Sequence, residues 1–368
     1  MRSTLLRIGV ATVSVGLLFA QATTASAHGT KPRDPVVKST AVVAPFNLEV
    51  FRGKVYVADG FANTVATLKK DGSLKTVVAD APGTSGIAHS KNGRYFAYTY
   101  TEGGPEEITA SGLKILGPRG KQVVADTLAY EKAKNPDKKL TYGPKSTDAC
   151  VTDALGPAYP GHVDSHAYSV VAYGSSWIVA DAGANALFKV NKRGKVSTLA
   201  VLPAHPAKIT AEIAAALGLP DCTIGVTYRF EAVPTDVEIG KDGYLYVTTL
   251  PGGPETPAAG ARGKLYRVNP RTGATKEIAR GFAGATNLAI GSNGRIYVAE
   301  YFAGKISVVS KGKVKPYLAL HNVVALEAVG NTLWAGTTVN LDPTLPPVPG
   351  TIVKIVKGKA SPLGKLKH

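Results

Sequence analysis

The sequence predicts an all-β fold, and three observations carry that reading. One short apolar strand recurs six times along 368 residues. Glycine-bearing turns flank each copy, and the chain between successive turns has room for one further hairpin. Repetition on this scale marks a fold assembled from copies of one supersecondary unit.

The recurring strand is clearest at Gly294 to Glu300, GRIYVAE. Its other versions are Gly53 to Asp59 (GKVYVAD), Gly93 to Thr99 (GRYFAYT), Ser176 to Asp181 (SWIVAD), Gly243 to Thr249 (GYLYVTT) and Asn331 to Thr337 (NTLWAGT). The turns before them are Arg52-Gly53, Asn92-Gly93, Tyr173-Gly174, Asp242-Gly243, Asn293-Gly294 and Gly330-Asn331. Asn-Gly and Asp-Gly between apolar runs signal hairpins, since both central residues of a type I′ turn need positive φ. A second set follows at Asp71-Gly72, Arg119-Gly120, Arg193-Gly194, Thr272-Gly273, Lys311-Gly312 and Lys357-Gly358. Two turns and the hairpin between them make four antiparallel strands. Six such units make a six-bladed β-propeller.

The blades are expected at about 47–79, 85–126, 166–202, 234–280, 286–320 and 322–366, in one domain from 28 to 368. The run Val36 to Ala44 (VVKSTAVVA) reads as the strand that completes the sixth blade. Lys359 to Leu366 could take the same place. Antiparallel alternation puts both sets of turns on one face. The loops between second and third strands, and the blade connectors, then lie on the other. The length variation is all on that second face, with Gly/Pro-rich loops at Gly103 to Pro105, Pro251 to Pro257 and Pro343 to Pro349. Long ordered loops gathered on one face are where function usually sits.

Two long connectors, Thr127 to Ser165 and Pro203 to Val233, flank the third blade. Each holds one plausible helix, Leu128 to Ala133 and Ile209 to Leu217, and one of the two cysteines, Cys150 and Cys222. Two cysteines in an exported chain argue for one disulfide, because no neighbouring His or Cys gives zinc spacing. That bridge would tie the connectors over the third blade and stabilise by roughly 4 kcal/mol in the chain-entropy model.

Export is expected from the first 27 residues. Arg2 and Arg7 precede or open an apolar run from Ile8 to Ala20, and Ala25-Ser26-Ala27 offers an A-x-A cleavage site. The run is too short to span a bilayer comfortably, and no later window resembles a transmembrane helix. Cleavage after Ala27 would leave a secreted, extracellular or wall-associated protein. The formal charge of +17 falls by two when Arg2 and Arg7 leave. A basic exported protein suits contact with an anionic cell-wall polymer. Its lysines are scattered over turns with no Arg/aromatic stripe, which argues against nucleic acid.

Four stretches carry a resemblance to a known family. They are Val163-Asp164-Ser165-His166-Ala167-Tyr168, Val179 to Leu187 (VADAGANAL), Ala232-Val233-Pro234-Thr235-Asp236-Val237, and Lys264 to Val268 (KLYRV). Together they make the chain resemble the exported ScyD/ScyE family, a branch of the propellers that includes NHL-repeat proteins. It is more distantly similar to regucalcin, gluconolactonase and strictosidine-synthase propellers. The resemblance covers nearly the whole mature chain and departs at His166-Ala167, where the family tends to have Asn-Pro. It implies a link to secondary metabolism without implying a reaction.

Candidate residues follow from place and from the resemblance. Asn47, Asp236 and Asn287 start the innermost strands of three blades. The lactonase resemblance implies a divalent cation such as calcium held by oxygens at the channel mouth, with Asn322 as a fourth oxygen. Hard cations take six to eight oxygen ligands. His162, Asp164 and His166 form H-x-D-x-H, which on an extended segment points one way and could bind Zn²⁺ or a ligand, or exchange protons. Asp59, Asp181 and Glu300 end recurring strands, and Asn63 and Asn185 follow two of them. These read as residues bonding turn backbone. Trp177 and Trp334 read as packing between blades. No G-x-S-x-G, H-E-x-x-H, P-loop or helix-opening G-x-G-x-x-G is present, so serine-nucleophile and nucleotide chemistry lack support.

The sequence therefore points to a non-catalytic scaffold binding a small molecule, glycan or protein on the long-loop face. The alternative is a metal-dependent, lactonase-type hydrolase or a tailoring enzyme of secondary metabolism, built on Asn47, Asp236 and Asn287. Convergence of those side-chain oxygens would favour the enzyme. Bonding to backbone would favour the scaffold.

Overall fold

The computed structural model describes residues 34–104, 107–330, 332–340 and 347–356. The expected leader (1–27) and the run Lys359 to Leu366 lie outside them. The chain is a β-propeller made of four-stranded antiparallel sheets, seven in all among the described residues.

Strand β1 (Val36–Val42) comes first and is taken up last. Then come β2 (Pro45–Phe51), β3 (Lys54–Asp59), β4 (Thr64–Leu68) and β5 (Leu74–Val78), which form one sheet in that order. The next sheet is β6 (Ile87–His89), β7 (Phe96–Gly104), β8 (Glu107–Leu116) and β9 (Gln122–Asp126). The first connector contributes α1 (Thr127–Lys134), β10 (Thr141–Pro144), α2 (Ala149–Leu155) and β11 (Tyr159–Pro160). The third simple sheet is β12 (Ala167–Tyr173), β13 (Ser176–Asp181), β14 (Ala186–Asn191) and β15 (Val196–Val201). The second connector adds β16 (His205–Lys208), α3 (Ala211–Leu217) and β17 (Thr227–Phe230). Two more simple sheets follow: β18 (Pro234–Ile239), β19 (Leu245–Thr249), β20 (Gly263–Val268), β21 (Thr275–Phe282), and β22 (Ala285–Ile290), β23 (Ile296–Glu300), β24 (Lys305–Ser310), β25 (Lys313–Ala319). The last contains β26 (Val323–Val329), β27 (Thr332–Thr337) and β28 (Gly350–Val356), with β1 as its outer strand.

The first strands β2, β6, β12, β18, β22 and β26 run beside one another in a closed ring. The ring closes through the N-terminal run, where Val36 pairs with Lys354 and Val42 with Gly350. Of the two possible closures this is the one that keeps the chain's first and last described strands in one sheet.

The seventh sheet was not legible in the sequence. It joins β10 and β11 of the first connector to β16 and β17 of the second. The Cys150–Cys222 disulfide spans the same two connectors, with 6.3 Å between Cα atoms. Short strands of two to four residues lie below the length at which alternation can be read. Only their pairing across the connectors gives them structure. The helices are capped as local chemistry requires, with Asp126, Asp148 and Thr210 accepting from the N–H three residues on.

The turns differ from the expected type. At Arg52-Gly53 both residues have positive φ, but in Asn92-Gly93, Asp242-Gly243 and Asn293-Gly294 only the glycine does. There the Asn or Asp oxygen instead accepts the N–H two residues on, from Arg94, Tyr244 and Arg295. An Asx side chain that caps the turn itself removes the need for a left-handed Asn.

The core lies in apolar seams between neighbouring sheets. One seam sets Ile178, Ala180 and Leu187 of one sheet against Val237, Leu245 and Val247 of the next. A fully buried Ile or Leu at such a seam stabilises by about 2–3 kcal/mol. Trp177 is 4% exposed within a seam, in line with a packing role.

The acids that end recurring strands are staples. Asp59 accepts from Val43, Ala44 and Ala62 N–H at 2.8, 2.9 and 3.2 Å. Asp181 accepts from His166 N–H (2.7 Å), Ala184 N–H (3.1 Å) and the Ser165 hydroxyl (2.7 Å). Glu300 accepts from Ala283 N–H at 2.8 Å and from the Ser307 hydroxyl. Each ties the end of a second strand to the connector entering its own sheet. Asn63 and Asn185 do the same for connectors leaving, accepting from Gly83 and Val233 N–H.

Candidate functional site

The channel mouth is built by a bulge. Five of the six ring strands shift register at the same place, between Pro45 and Asn47, Ala167 and Ser169, Pro234 and Asp236, Ala285 and Asn287, and Val323 and Ala325. A bulge leaves one residue unpaired and re-aims its neighbours. It brings Asn47, Ser169, Asp236, Asn287 and Ala325 to one level of the ring. In the last sheet that level is held by Ala325. Asn322 lies in the connector before it, in a left-handed conformation.

Most of these polar groups are engaged with neighbouring sheets. Asp236 accepts from the Ser169 hydroxyl at 2.5 Å and from Leu288 N–H at 2.9 Å. Asn287 accepts from Leu326 N–H at 2.8 Å. Asn47 is 6% exposed at the same level. Burial pushes the Asp236 carboxyl up to about 6, against hydrogen bonds that pull it down.

Two residues further along each strand the channel turns acidic. Glu49, Glu238 and Glu327 occupy equivalent registers of β2, β18 and β26, and His89 of β6 shares that level. Glu49 takes both the His89 N–H (2.7 Å) and its ring Nδ1 (2.6 Å). Glu238 and Glu327 have no ring partner of this kind, though backbone N–H groups of Ile239 for the first, and of Val50 and Ala328 for the second, pull their carboxyls down. Burial first pushes both carboxyls up, Glu327 to about 8; repulsion adds to it, from Glu327, Asp236 and Glu49 at Glu238 and from Glu49 and Asp236 at Glu327. The sequence carried a sign of this level in Asn47-x-Glu49 and Asp236-x-Glu238, alternate positions that share one side of a strand.

At the long-loop end of the channel the bulged residues are aromatic in two sheets. Phe46 packs edge-on to Phe61 at 5.4 Å and lies 6.1 Å from Tyr168, which lies 5.5 Å from His166. Phe61 is 54% exposed. Burial lowers the pKa of His166 and raises that of Tyr168.

The two histidines of H-x-D-x-H face different rings, and Asp164 stays within electrostatic reach of His166. His162 stacks on Tyr159 at 5.2 Å, whereas His166 faces Tyr168. The segment is irregular rather than a strand, so alternate side chains need not share a side. No group of three or more His, Cys, Asp or Glu among the described residues is arranged to hold a metal ion. Two cavities among the described residues, about 590 and 540 Å³, lie away from this mouth, on the turn face. The first is lined by Lys91, Lys192, Tyr95 and Trp177, the second by Arg267, Arg295 and Lys311.

No protein-family model matches the chain, and no curated protein matches it in sequence. Solved structures resemble it in fold. A PQQ-bound aldose sugar dehydrogenase from Streptomyces coelicolor superposes with a TM-score of 0.54 at 11% identity, covering 90% of this chain and 99% of its own. A gluconolactonase from Xanthomonas campestris gives 0.50 at 10% identity, covering 91% and 99%. A virginiamycin B lyase from Staphylococcus aureus gives 0.47 at 14% identity, covering 89% and 99%. At these identities the likeness is one of β-propeller fold.

Proposed function

We propose that the protein is an exported binding scaffold, a six-bladed relative of the ScyD/ScyE proteins. It takes a small molecule, glycan or protein on its long-loop face. The observation that carries this reading is the aromatic mouth of Phe46, Phe61, His166 and Tyr168. Rings that pack on one another and still reach solvent offer a rigid, amphipathic surface at little entropic cost. The engagement of Asp236 and Asn287 with neighbouring backbone supports binding over metal chemistry at that level. The basic charge suits an anionic wall polymer as a surrounding surface.

The test is a thermal-shift screen of soluble glycans and aromatic metabolites, followed by titration of any hit against Phe61→Ala. Phe61 is exposed, so its removal leaves the fold intact. A hit whose affinity falls on the order of tenfold, about 1.4 kcal/mol, in F61A supports the mouth. Equal binding by the variant places the ligand elsewhere.

The second reading is a metal-dependent, lactonase-type hydrolase, favoured by likeness in fold to a gluconolactonase and a sugar dehydrogenase. It requires stoichiometric metal after mild dialysis and lactone turnover that Asp236→Asn abolishes. Both results together would displace the scaffold.

A further inference from the structure

The connector before the third ring sheet carries a feature that neither the mouth nor the channel uses. Glu131, on the last turns of α1, is fully buried, and neither carboxylate oxygen has a protein hydrogen-bond partner. Asp137 is 1% exposed; its Oδ2 accepts from Tyr142 O–H (2.9 Å) and Asn185 Nδ2 (3.0 Å), but its Oδ1 has no partner. Asn135 donates its Nδ2 to the Gly161 carbonyl at 3.0 Å, which fixes the amide and leaves a buried Oδ1 also without a partner.

Asp137 lies within electrostatic reach of Glu131, and Asn135 stands between them in the chain. Asn135 caps α1 through its N–H to the Glu131 carbonyl at 2.7 Å. Asp137 Oδ1 lies so close to Gly161 that a methyl there would sit 2.1 Å from it. The Asp181 carboxylate is within electrostatic reach of Glu131, but its oxygens are already committed to Ser165, His166 and Ala184.

As a carboxylate, Glu131 finds no protein donor, and a carboxylate left unmet inside a protein costs several kcal/mol. The donor set is all oxygen, with two carboxyls and an amide. That set suits a hard cation of the calcium class, with main-chain carbonyls and water completing the shell.

We infer that Glu131, Asn135 and Asp137 form a structural site for a divalent cation of the calcium class, which locks α1 and the first connector onto the third ring sheet. Two carboxyls and one amide supply the side-chain oxygens, so the site falls outside any grouping of three His, Cys, Asp or Glu. Through Asp137 the ion would reach Tyr142 of β10 and Asn185 beside β13. It is a second clasp for the connectors, apart from the Cys150–Cys222 bridge.

The experiment uses the full secreted chain stripped with chelator and titrated with CaCl₂, with MgCl₂ alongside. Bound ion and melting temperature are both read. One calcium per chain, and a melting point raised by several degrees at saturation, are expected. Glu131→Gln and Asn135→Ala should weaken binding on the order of a hundredfold, while Asn135→Asp, which keeps an oxygen, should retain it. Asp236→Asn serves as a control at the channel. Circular dichroism and an intact disulfide establish that each variant is folded. Calcium-blind melting of the wild-type chain, equal binding by Glu131→Gln, or loss of the ion in Asp236→Asn alone would overturn the assignment.

Discussion

Glu327 is an acid placed where ionisation is costly. Burial comes first, followed by the charges of Glu49 and Asp236, with Glu238 held up by the same neighbours. Its carboxyl titrates near 8 in the folded chain against a usual 4.5. The folded state therefore keeps a proton that the unfolded chain has already released. The stability from this group is fully present below about pH 4.5 and is lost as pH rises through about 8. Glu327→Gln has the same shape and no charge to suppress. It should be more stable than wild type at pH 9, by on the order of 1–3 kcal/mol, and equal at pH 4. Denaturant midpoints across that range check it, and parallel curves would refute the suppressed ionisation. At this scale Asp59, Asp181 and Glu300 were legible, because a strand-ending acid before a turn has backbone donors close by. For Asp236 and Asn287 the sequence offered backbone bonding as one of two readings but not the partners, which lie on other sheets about 40 to 70 residues away.

Among the elements, the recurring second strands were readable because five or six residues of apolar chain between turns leave little choice of structure. The shared bulge in the ring strands was invisible, since nothing in Pro45-Phe46-Asn47 or Ala285-Thr286-Asn287 distinguishes an unpaired residue from a paired one. In the connectors the cysteines and the helices α1 and α3 were legible, whereas α2 and the strands of the shared sheet were not. Cys150 lies in α2 and Cys222 in a short turn after α3, and the sheet β11–β10–β17–β16 lies between those connectors. Replacing both cysteines by Ser should cost about 3–4 kcal/mol in the connector assembly. The ring sheets have their own seams and should stay folded. Limited proteolysis should then cut within 135–165 or 203–230 before it cuts the ring. Uniform cleavage along the chain would show the two parts to be one cooperative unit.

At the scale of the whole molecule, closure depends on β1. Its partner β28 would otherwise be an open edge, and the main chain at Val43 also receives the Thr338 hydroxyl and Val339 N–H. A chain lacking the segment through Val42 should melt on the order of ten degrees lower. It should also tend to self-associate through the exposed edge of β28. Light scattering beside calorimetry measures both, and an unchanged monomer would show that the last sheet is stable with three strands. Closure by Val36 to Ala44 was one of two readings the sequence offered, and the pairing of β1 with β28 fulfils it.

A sheet shared between the opening and final segments also dictates timing. Whatever the order in which the intermediate sectors condense, the circle is finished only when the strand around Ile352 has been delivered and the strand around Ser39 is still available to receive it. Such a pairing across more than three hundred residues is slow to find. A chain emerging gradually from a ribosome or a membrane pore would carry an unzipped sector until its synthesis or passage was nearly done.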